Sequence, residues 1–428
     1  MGTPEAEGTR RLLACLDPTG GWVALAEHRA RFSAPPRPAS GPSPALIEMV
    51  EQAGLRGRGG AGFPTATKMR AVIEAGRRPV VVANGSEGEP ASRKDEFLMS
   101  AAPHLVLDGA ELAAAAVGAD EVICAVVLHT GRARHAIQHA IAERRAADPG
   151  GPRITTVDVP ARYIAGEERA LVHLLNGGPA IPTASPPRPF ERGVSGRPTL
   201  VQNVETLAHL ALVHRFGPKW FRAVGVPEMP GTSLTTVSGA VATPAVYEIV
   251  TGTPLLGLLR AAGAVEEDIR AVLVGGYSGT WLSLAQARAV TLDREGLARV
   301  GAIFGPGVVS VLPRDACGLW ETAGVMRWMA DQTAGQCGPC VHGLAAIAGA
   351  TEALARGTSA PGLVERLEGL AGEVDGRGAC RYPDGAIRLL RSALGIFEAD
   401  VRAHLAGDAC PPAAHRNVLP LPVVPQVA

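Results

Sequence analysis

The chain has 428 residues, 46% of them apolar and 4% aromatic, and its 41 basic and 41 acidic side chains give a formal net charge of zero. At roughly 100–200 residues per domain there is room for two to four domains, and the charge balance excludes a global field drawing the chain to nucleic acid or an anionic membrane. No apolar run approaches the roughly 18–20 residues of a membrane span, and the start, Met1-Gly-Thr-Pro-Glu-Ala-Glu, lacks the basic and apolar regions of a secretion signal, so a cytoplasmic location is expected.

Residues 1–45 carry one short helix, then Ser33-Ala-Pro-Pro-Arg-Pro-Ala-Ser-Gly-Pro-Ser-Pro44, which reads as an extended connector because proline cannot continue a helix. A helix resumes near Ala45 and leads into Gly54-Leu-Arg-Gly-Arg-Gly-Gly-Ala-Gly-Phe-Pro-Thr-Ala-Thr-Lys68. Glycines reach positive φ and let several N–H groups approach one anion. Arg56, Arg58 and Lys68 add charge, and a helix after such a loop makes a phosphate cradle. On glycine content alone a surface loop explains the stretch equally well.

Pro79-Val-Val-Val-Ala83 suits a strand buried on both faces of a parallel sheet, delivering Asn84-Gly-Ser-Glu-Gly-Glu-Pro90 at its carboxyl end. A helix over His104–Val117, a strand over Glu121–Leu128, a helix over Arg132–Ala146 and a strand over Ile154–Val159 follow, which predicts a doubly wound α/β domain. His135 and His139, one helical turn apart, are a possible metal pair but read as a surface helix. Arg162-Tyr-Ile-Ala-Gly-Glu-Glu-Arg-Ala170 places Glu167 and Glu168 at the opening of a helix, favourable there for dipole reasons alone. Pro179–Pro198 is loop, and Val201-Gln-Asn-Val-Glu-Thr206 is expected to start another helix.

From Thr232 to Glu248 the pattern alternates with turn residues at hairpin spacing; a helix over Pro254–Ala262, a strand over Ile269–Val274 and Gly275-Gly-Tyr-Ser-Gly279 complete a small α+β unit. Helical spacing then dominates over Cys317–Ala330, Cys340–Arg356, Gly362–Gly372 and Ala386–Leu405, a small bundle. Pro411–Ala428 is expected to extend over a neighbour or be disordered. Of the 7 cysteines, Cys337 and Cys340 sit three apart with Cys380 further on, while Cys15, Cys124, Cys317 and Cys410 stand alone. In a reducing compartment the cluster favours metal or redox chemistry over disulfides.

Gly54–Lys68, Asn84–Pro90, Tyr163–Glu168, Gly196–Thr206 and the Cys337/Cys340/Cys380 set occur in the order and spacing of one family. The chain resembles, from about residue 46 to residue 400, the flavin-bearing, NADH-oxidising F-type subunit of respiratory complex I, a module shared with NAD-linked hydrogenases and formate dehydrogenases. The resemblance implies an FMN/NAD-binding α/β domain of Rossmann-like fold over 46–228 and a soluble-ligand-binding β-grasp domain over 229–305. It further implies a helical iron–sulfur domain over 306–405 and a proline-rich tail over 406–428. Gly54, Arg56, Gly57, Arg58, Gly59 and Lys68 would hold FMN, with Asn84, Glu87, Gly166, Gln202, Asn203 and Thr206 completing its contacts. Phe63 would stack on the adenine of the dinucleotide. Glu89 and Glu168, the expected catalytic pair, and Arg188 with Phe190 would contact the rest of NADH, with Glu167 accepting ribose hydroxyls. Cys337, Cys340 and Cys380 would hold a 4Fe-4S or 3Fe-4S cluster. The implied activity is hydride transfer from NADH to FMN, then single electrons through the cluster to a partner iron–sulfur subunit or ferredoxin. A place in a membrane-associated complex stays open.

The sequence also departs from the family. Ala334 stands where the first cluster cysteine belongs, and a 4Fe-4S cluster normally takes four thiolates. Water, Asp331, Gln336, His342 or a returning Cys410 could serve instead; a 3Fe-4S cluster, a Cys3His zinc site with His342, or cysteines that merely pack are the other outcomes. Ser86 replaces an aspartate, Ala71 an adenine-stacking aromatic, Met69 a tryptophan and Ala165 a cysteine, so FMN binding has more residues behind it than NADH binding. An FMN/iron–sulfur adaptor without NAD use and a non-catalytic scaffold with a ligand-binding β-grasp domain are the alternatives.

Overall fold

The computed structural model describes residues 11–16, 21–32, 34–35, 41–358 and 361–422. Residues 33 and 36–40 of the expected connector, and 423–428 of the expected tail, lie outside them. Helix α1 (Leu25–Phe32) precedes α2 (Pro44–Ala53), which starts on a proline and ends at Gly54 in the left-handed region. After the glycine loop come α3 (Thr65–Glu74), β1 (Val80–Gly85), α4 (Lys94–Ala101), α5 (Pro103–Val117), β2 (Glu121–Val127), α6 (Gly131–Ala147) and β3 (Arg153–Val159). Helix α7 (Glu168–Leu175), β4 (Thr199–Asn203), α8 (Val204–Phe216) and α9 (Pro218–Arg222) complete this part.

Strands β1 to β4 form a parallel sheet in the order β3-β2-β1-β4. Both faces are apolar, as a doubly covered sheet requires. Val81, Ala83, Val122 and Cys124 join the core beneath α5, α6 and α8, whereas Val80, Val82, Ile123 and Val201 join a smaller core with Leu171 and Val172 of α7. The expected Rossmann-like domain is therefore present, with its second face covered by one short helix and the 179–198 loop instead of a full helical layer. Helices α5 and α8 press together so closely that a Cβ on Gly109 would lie 1.8 Å from the Leu207 carbonyl oxygen.

The helix expected from Val201 starts three residues later. Thr199-Leu-Val-Gln-Asn203 pairs with β1 as β4, and the Asn203 side chain then caps α8 by accepting the Glu205 N–H at 3.0 Å. The buried ladder takes the β-branched residues first, and helix begins only at its cap.

A small ribbon, β5 (Gly225–Val226) and β6 (Met229–Pro230), leads to the hairpin β7 (Thr232–Gly239) and β8 (Ala245–Val250), then α10 (Leu255–Ala261), β9 (Ile269–Val274), β10 (Thr280–Ser283), α11 (Leu284–Ala289), α12 (Arg294–Ala298) and β11 (Val308–Pro313). The mixed sheet runs β10-β9-β11-β7-β8. Strand β11 lies at its centre, parallel to β7 and antiparallel to β9, so the middle unit reaches Pro313 and does not end at the expected residue 305.

One face of that sheet packs on its own helices, and the other, through Leu273, Trp281 and Leu312, joins the core of the helical unit. This unit comprises α13 (Gly318–Asp331), a π-turn at Pro339–Leu344, α14 (Ala345–Ala355), α15 (Leu363–Val374), α16 (Tyr382–Ile396) and α17 (Glu398–Leu405). The single helix expected over 386–405 is broken at Phe397, whose ring sits edge-on to Trp281 at 5.4 Å and fills the space where Gly318 lacks a side chain. Residues 411–422 lie over the bundle: Glu321 accepts the N–H groups of Val418 and Leu419 at 3.1 Å, and the Trp328 indole donates to the Pro422 carbonyl at 3.2 Å.

Candidate functional site

In the order β3-β2-β1-β4 the connections reverse direction at β1, and an open parallel sheet leaves its crevice at such a point, beyond the carboxyl ends of the strands. Asn84 of β1 and Asn203 of β4 are register partners there. The Asn84 amide donates to the Gly166 carbonyl at 3.0 Å, and the Asn203 amide donates to the Asp95 carboxylate at 2.6 Å. Above them the glycine loop is closed at its base by the Arg56–Pro64 bridge, by Gly57 N–H to Phe63 O at 2.9 Å, and by Arg56 Nε to Gly62 O at 2.8 Å. Gly60 (φ 121°) and Gly62 (φ 61°) occupy backbone conformations that side chains oppose.

Between this loop, the turn after β1 and the Tyr163–Glu167 turn lies a cavity of about 920 Å³, at the upper end of the roughly 300–1,000 Å³ of small-molecule and cofactor sites. Two walls meet where glycine alone fits: a Cβ on Gly88 would stand 2.5 Å from Tyr163 O, and one on Gly166 2.5 Å from Ser86 O.

Of the residues expected from the sequence, Gly59, Asn84, Glu87, Glu89, Gly166, Glu167 and Asn203 line this cavity. The three cations expected at the phosphate do not, because each has a nearer partner. Arg56 is held by its own loop. Arg58 is buried with its guanidinium on the Pro230 carbonyl at 3.0 Å and its N–H on Thr206 Oγ1 at 2.9 Å, which places Thr206 beneath the site as well. Lys68 reaches Glu168 at 2.7 Å and the Val201 carbonyl at 2.8 Å.

Glu168, expected to be catalytic, is thus turned towards Lys68. Its neighbour Glu167 caps α7, accepting the N–H groups of Arg169 and Ala170 at 2.9 and 3.0 Å, and pairs with the Arg169 guanidinium at 2.9 Å. Gly54 closes α2 against Arg222 and Pro230, Gly57 sits in the loop base, and Gln202 is buried in β4. Arg188 lies over the Phe190 ring at 5.9 Å, on a part of the 179–198 loop outside the cavity lining. Phe63 is 54% exposed at the rim of the glycine loop.

The cavity has walls that the sequence reading missed. Gly275, Ser278, Ile303 and Gly305 come from the middle unit, and Tyr382, Asp384 and Arg388 from α16. The available signal was Gly275-Gly-Tyr-Ser-Gly279, which reads as the end of the small α+β unit and not as a wall.

The floor is strongly charged and buried. Lys94 pairs with Asp95 at 2.6 Å and Glu205 at 3.0 Å. Burial opposes its charge, but Asp95, Glu205 and Glu87 together raise its pKa. Burial, then the charge of Asp95, pushes Glu87 up to about 8. Burial pushes Glu89 up to about 7, although the Tyr277 and Ala91 N–H groups donate to it at 2.9 and 3.3 Å. Two carboxyl groups on one wall therefore exchange protons near neutrality.

A second cavity, of about 510 Å³, is lined by Cys337, Cys340, Cys380, Ala334, Gln336 and the Pro182–Ser185 segment. The turn starting at Pro339 presents Cys340, whose N–H donates to Cys337 O at 3.1 Å. Burial works against a Cys337 thiolate, but N–H groups of Ala379 and Cys340 outweigh it and lower the pKa. Arg169, Ala379 and Cys380 line both cavities.

Of the expected substitutes for the missing thiolate, only Gln336 lines this cavity. His342, the fourth ligand of the expected Cys3His zinc site, and Asp331 both lie outside the lining. Cys410 does not return to it but joins Cys317 and His404.

The donor sets fit the implied groups. Three thiols around one cavity, with backbone N–H groups on one of them, suit an iron–sulfur cluster, and Ala334 leaves one corner without a thiolate. The glycine-walled cavity, with two asparagines at the switch point, suits FMN.

Two family models match: the Nuo51 FMN-binding domain over residues 50–212, and the NADH-ubiquinone oxidoreductase-F iron-sulfur binding region over residues 321–404. The second F-type subunit of NADH-quinone oxidoreductase in Rhizobium meliloti (strain 1021) is 32% identical over 379 residues, 86% of this chain and 90% of that protein. The F-type subunit of NADH-quinone oxidoreductase in Mycobacterium bovis (strain ATCC BAA-935 / AF2122/97) is 32% identical over 384 residues, 86% of each. Among solved structures, an NAD+-reducing NiFe-hydrogenase in the H2-reduced state superposes with a TM-score of 0.78 at 33% identity, covering 84% of this chain; the match spans 62% of that hydrogenase chain. At this identity and coverage the chain belongs to the family of F-type subunits of NADH-quinone oxidoreductase.

Proposed function

We propose that the chain is the electron-entry subunit of an NADH-oxidising assembly, taking a hydride from NADH onto FMN and passing electrons singly through an iron–sulfur cluster to a partner. The observation that carries this reading is the shared wall: Arg169, Ala379 and Cys380 border both the glycine-walled cavity and the cysteine cavity. FMN, when bound, supplies the exchange between a two-electron donor and a one-electron acceptor that side chains cannot perform.

The chain's own residues bind, orient and move protons. Gly59, Gly60 and Ala61, with Asn84 and Asn203, form the surface against which FMN would lie. Glu89 and Glu87, whose protons exchange near neutral pH, can hold or release the proton that accompanies flavin reduction. Glu167 offers a carboxylate for ribose hydroxyls and Phe63 an exposed ring for adenine. The edge-on rings of Tyr163 and Tyr382, 5.4 Å apart, keep water from the back of the cavity. Cys337, Cys340 and Cys380 would hold the cluster, with Gln336 or solvent at the corner that Ala334 leaves open.

On this reading residues 46–228 form the cofactor unit, 229–313 the β-grasp unit and 314–405 the iron–sulfur unit. The acceptor would be an iron–sulfur subunit or a ferredoxin, since the remaining cysteines make no second Cys-x2-Cys set. Among the described residues no helix is long and apolar enough to cross a membrane, and the reducing compartment that such thiols need is the cytoplasm.

The test is anaerobic purification, FMN reconstitution and an ultraviolet–visible spectrum before and after NADH. Flavin bands bleached by NADH are expected; a protein that takes up no flavin, or a flavin NADH leaves unbleached, overturns the reading.

A further inference from the structure

Cys317, His404 and Cys410 line neither cavity, yet their ligand atoms lie within 4.8 Å of one another. They come from three elements: Cys317 is the N-cap of α13, His404 sits in the last turn of α17, and Cys410 follows that helix at the root of the carboxyl-terminal strap. Cys317 and His404 are wholly buried. The His404 ring is already oriented. Its Nδ1 faces the Leu354 carbonyl at 3.0 Å, and a carbonyl only accepts, so Nδ1 carries the proton and Nε2 presents a lone pair. That lone pair points into the group, 4.0 Å from Cys317 Sγ, and receives the Cys410 N–H at 3.0 Å.

A histidine that donates its far N–H to a carbonyl while its near nitrogen faces one thiol at 4.0 Å and lies within 4.8 Å of a second is the arrangement of a metal ligand with its supporting shell. Bonds of roughly 2.0–2.3 Å to a tetrahedral ion bring ligand atoms to roughly 3.3–3.8 Å of each other, a contraction of about an ångström or less from the separations here. The strap is tied to the same helix start, since the Ala414 carbonyl accepts the Cys317 N–H at 2.8 Å.

We propose that Cys317, His404 and Cys410 bind one soft divalent cation of the zinc(II) class, which staples the strap 411–422 to the helical unit. Binding replaces two S–H bonds by two metal–thiolate bonds and releases both protons to solvent; the Cys410 N–H gives up Nε2 to the ion. The staple matters because the strap runs over Trp328, whose ring meets Tyr163 of the cofactor cavity edge-on at 5.8 Å. The site is independent of the cofactor reading, so either can fail alone.

The experiment uses the full chain, purified under anaerobic reducing conditions from zinc-supplemented culture, with metal counting and zinc-edge X-ray absorption. About one zinc per chain is expected, with two sulfur ligands and at least one imidazole. Cys410→Ser and His404→Gln should each weaken zinc binding at least tenfold and leave iron content unchanged. Zinc with three sulfur ligands, or zinc that survives Cys410→Ser but is lost in Cys340→Ser, would assign it to the other cysteine cavity and overturn the proposal. A Cys317–Cys410 disulfide in the reduced protein, read as the loss of both thiol hydrogens in the intact mass, also overturns it. If the variants fold poorly, the wild-type protein decides: stripping zinc with a chelator should speed trypsin cleavage after Arg416 several-fold, and an unchanged rate sinks the staple.

Discussion

Asn84 and Asn203 stand side by side at the carboxyl ends of adjacent parallel strands, 119 residues apart in the chain. Each amide already has a structural partner, Gly166 for one and Asp95 for the other. The floor of the cavity is therefore rigid before anything binds, and a ligand entering it does not have to order these side chains.

Gly166→Ala tests the close approach of the two walls. The new Cβ would meet the Ser86 carbonyl oxygen at 2.5 Å, a backbone atom that cannot swing aside. We expect a destabilisation of roughly 1–3 kcal/mol and a clear loss of FMN per chain, read by denaturant titration and by flavin released on boiling. An alanine variant that keeps its flavin would show that the walls can part.

Lys94→Met removes the cation that pairs with both Asp95 and Glu205 and leaves both carboxylates buried. Breaking a buried ionic group from one side costs roughly 3–5 kcal/mol. The urea midpoint of unfolding should fall accordingly. A shift no larger than that of an exposed-lysine control would mean that the group is better solvated than its burial implies.

Burial opposes the charge of Glu89 and pushes its pKa from an ordinary 4.5 up to about 7 in the folded protein. A raised folded pKa means that the native state holds the proton more tightly. The stability this contributes is full below 4.5 and is lost as pH rises through about 7. The melting temperature of the wild-type protein should fall between about pH 5 and pH 8, and Glu89→Gln should flatten that fall by up to roughly 3 kcal/mol. Parallel curves for the two proteins would place the titration elsewhere.

Ala334→Cys supplies a thiolate at the open corner of the cysteine cavity. Iron per chain should rise towards about four, and the electron paramagnetic resonance spectrum should change to match. If neither moves, that corner does not face the cluster.

Local chemistry was legible in the sequence wherever a few neighbouring residues decide the outcome. Pro79-Val-Val-Val-Ala83 read as a strand buried on both faces and is one, with Val81 and Val82 in opposite cores. Glu167 and Glu168 read as the opening of a helix; the structure divides them, one into the cap and the cavity wall, the other onto Lys68. That division could not be read, since both carboxylates suit a first helical turn and the choice depends on where α3 packs.

By itself, then, the sequence determined the order of the elements, the positive-φ glycines of the phosphate-type loop and the Cys337–Cys340 turn, because propensity, periodicity and glycine's freedom act within a strand or a helical turn. Tertiary structure alone decided which cations stay free and which cysteines meet. Lys68 is claimed by Glu168, 100 residues on, and Cys410 by Cys317 and His404 instead of the cluster cysteines. It also placed β11 at the centre of the middle sheet and brought Gly275 and Gly305 to the cavity. The physical reason is that ion pairing and burial are settled by whichever distant partner arrives in the same desolvated space, and no local pattern encodes that distance.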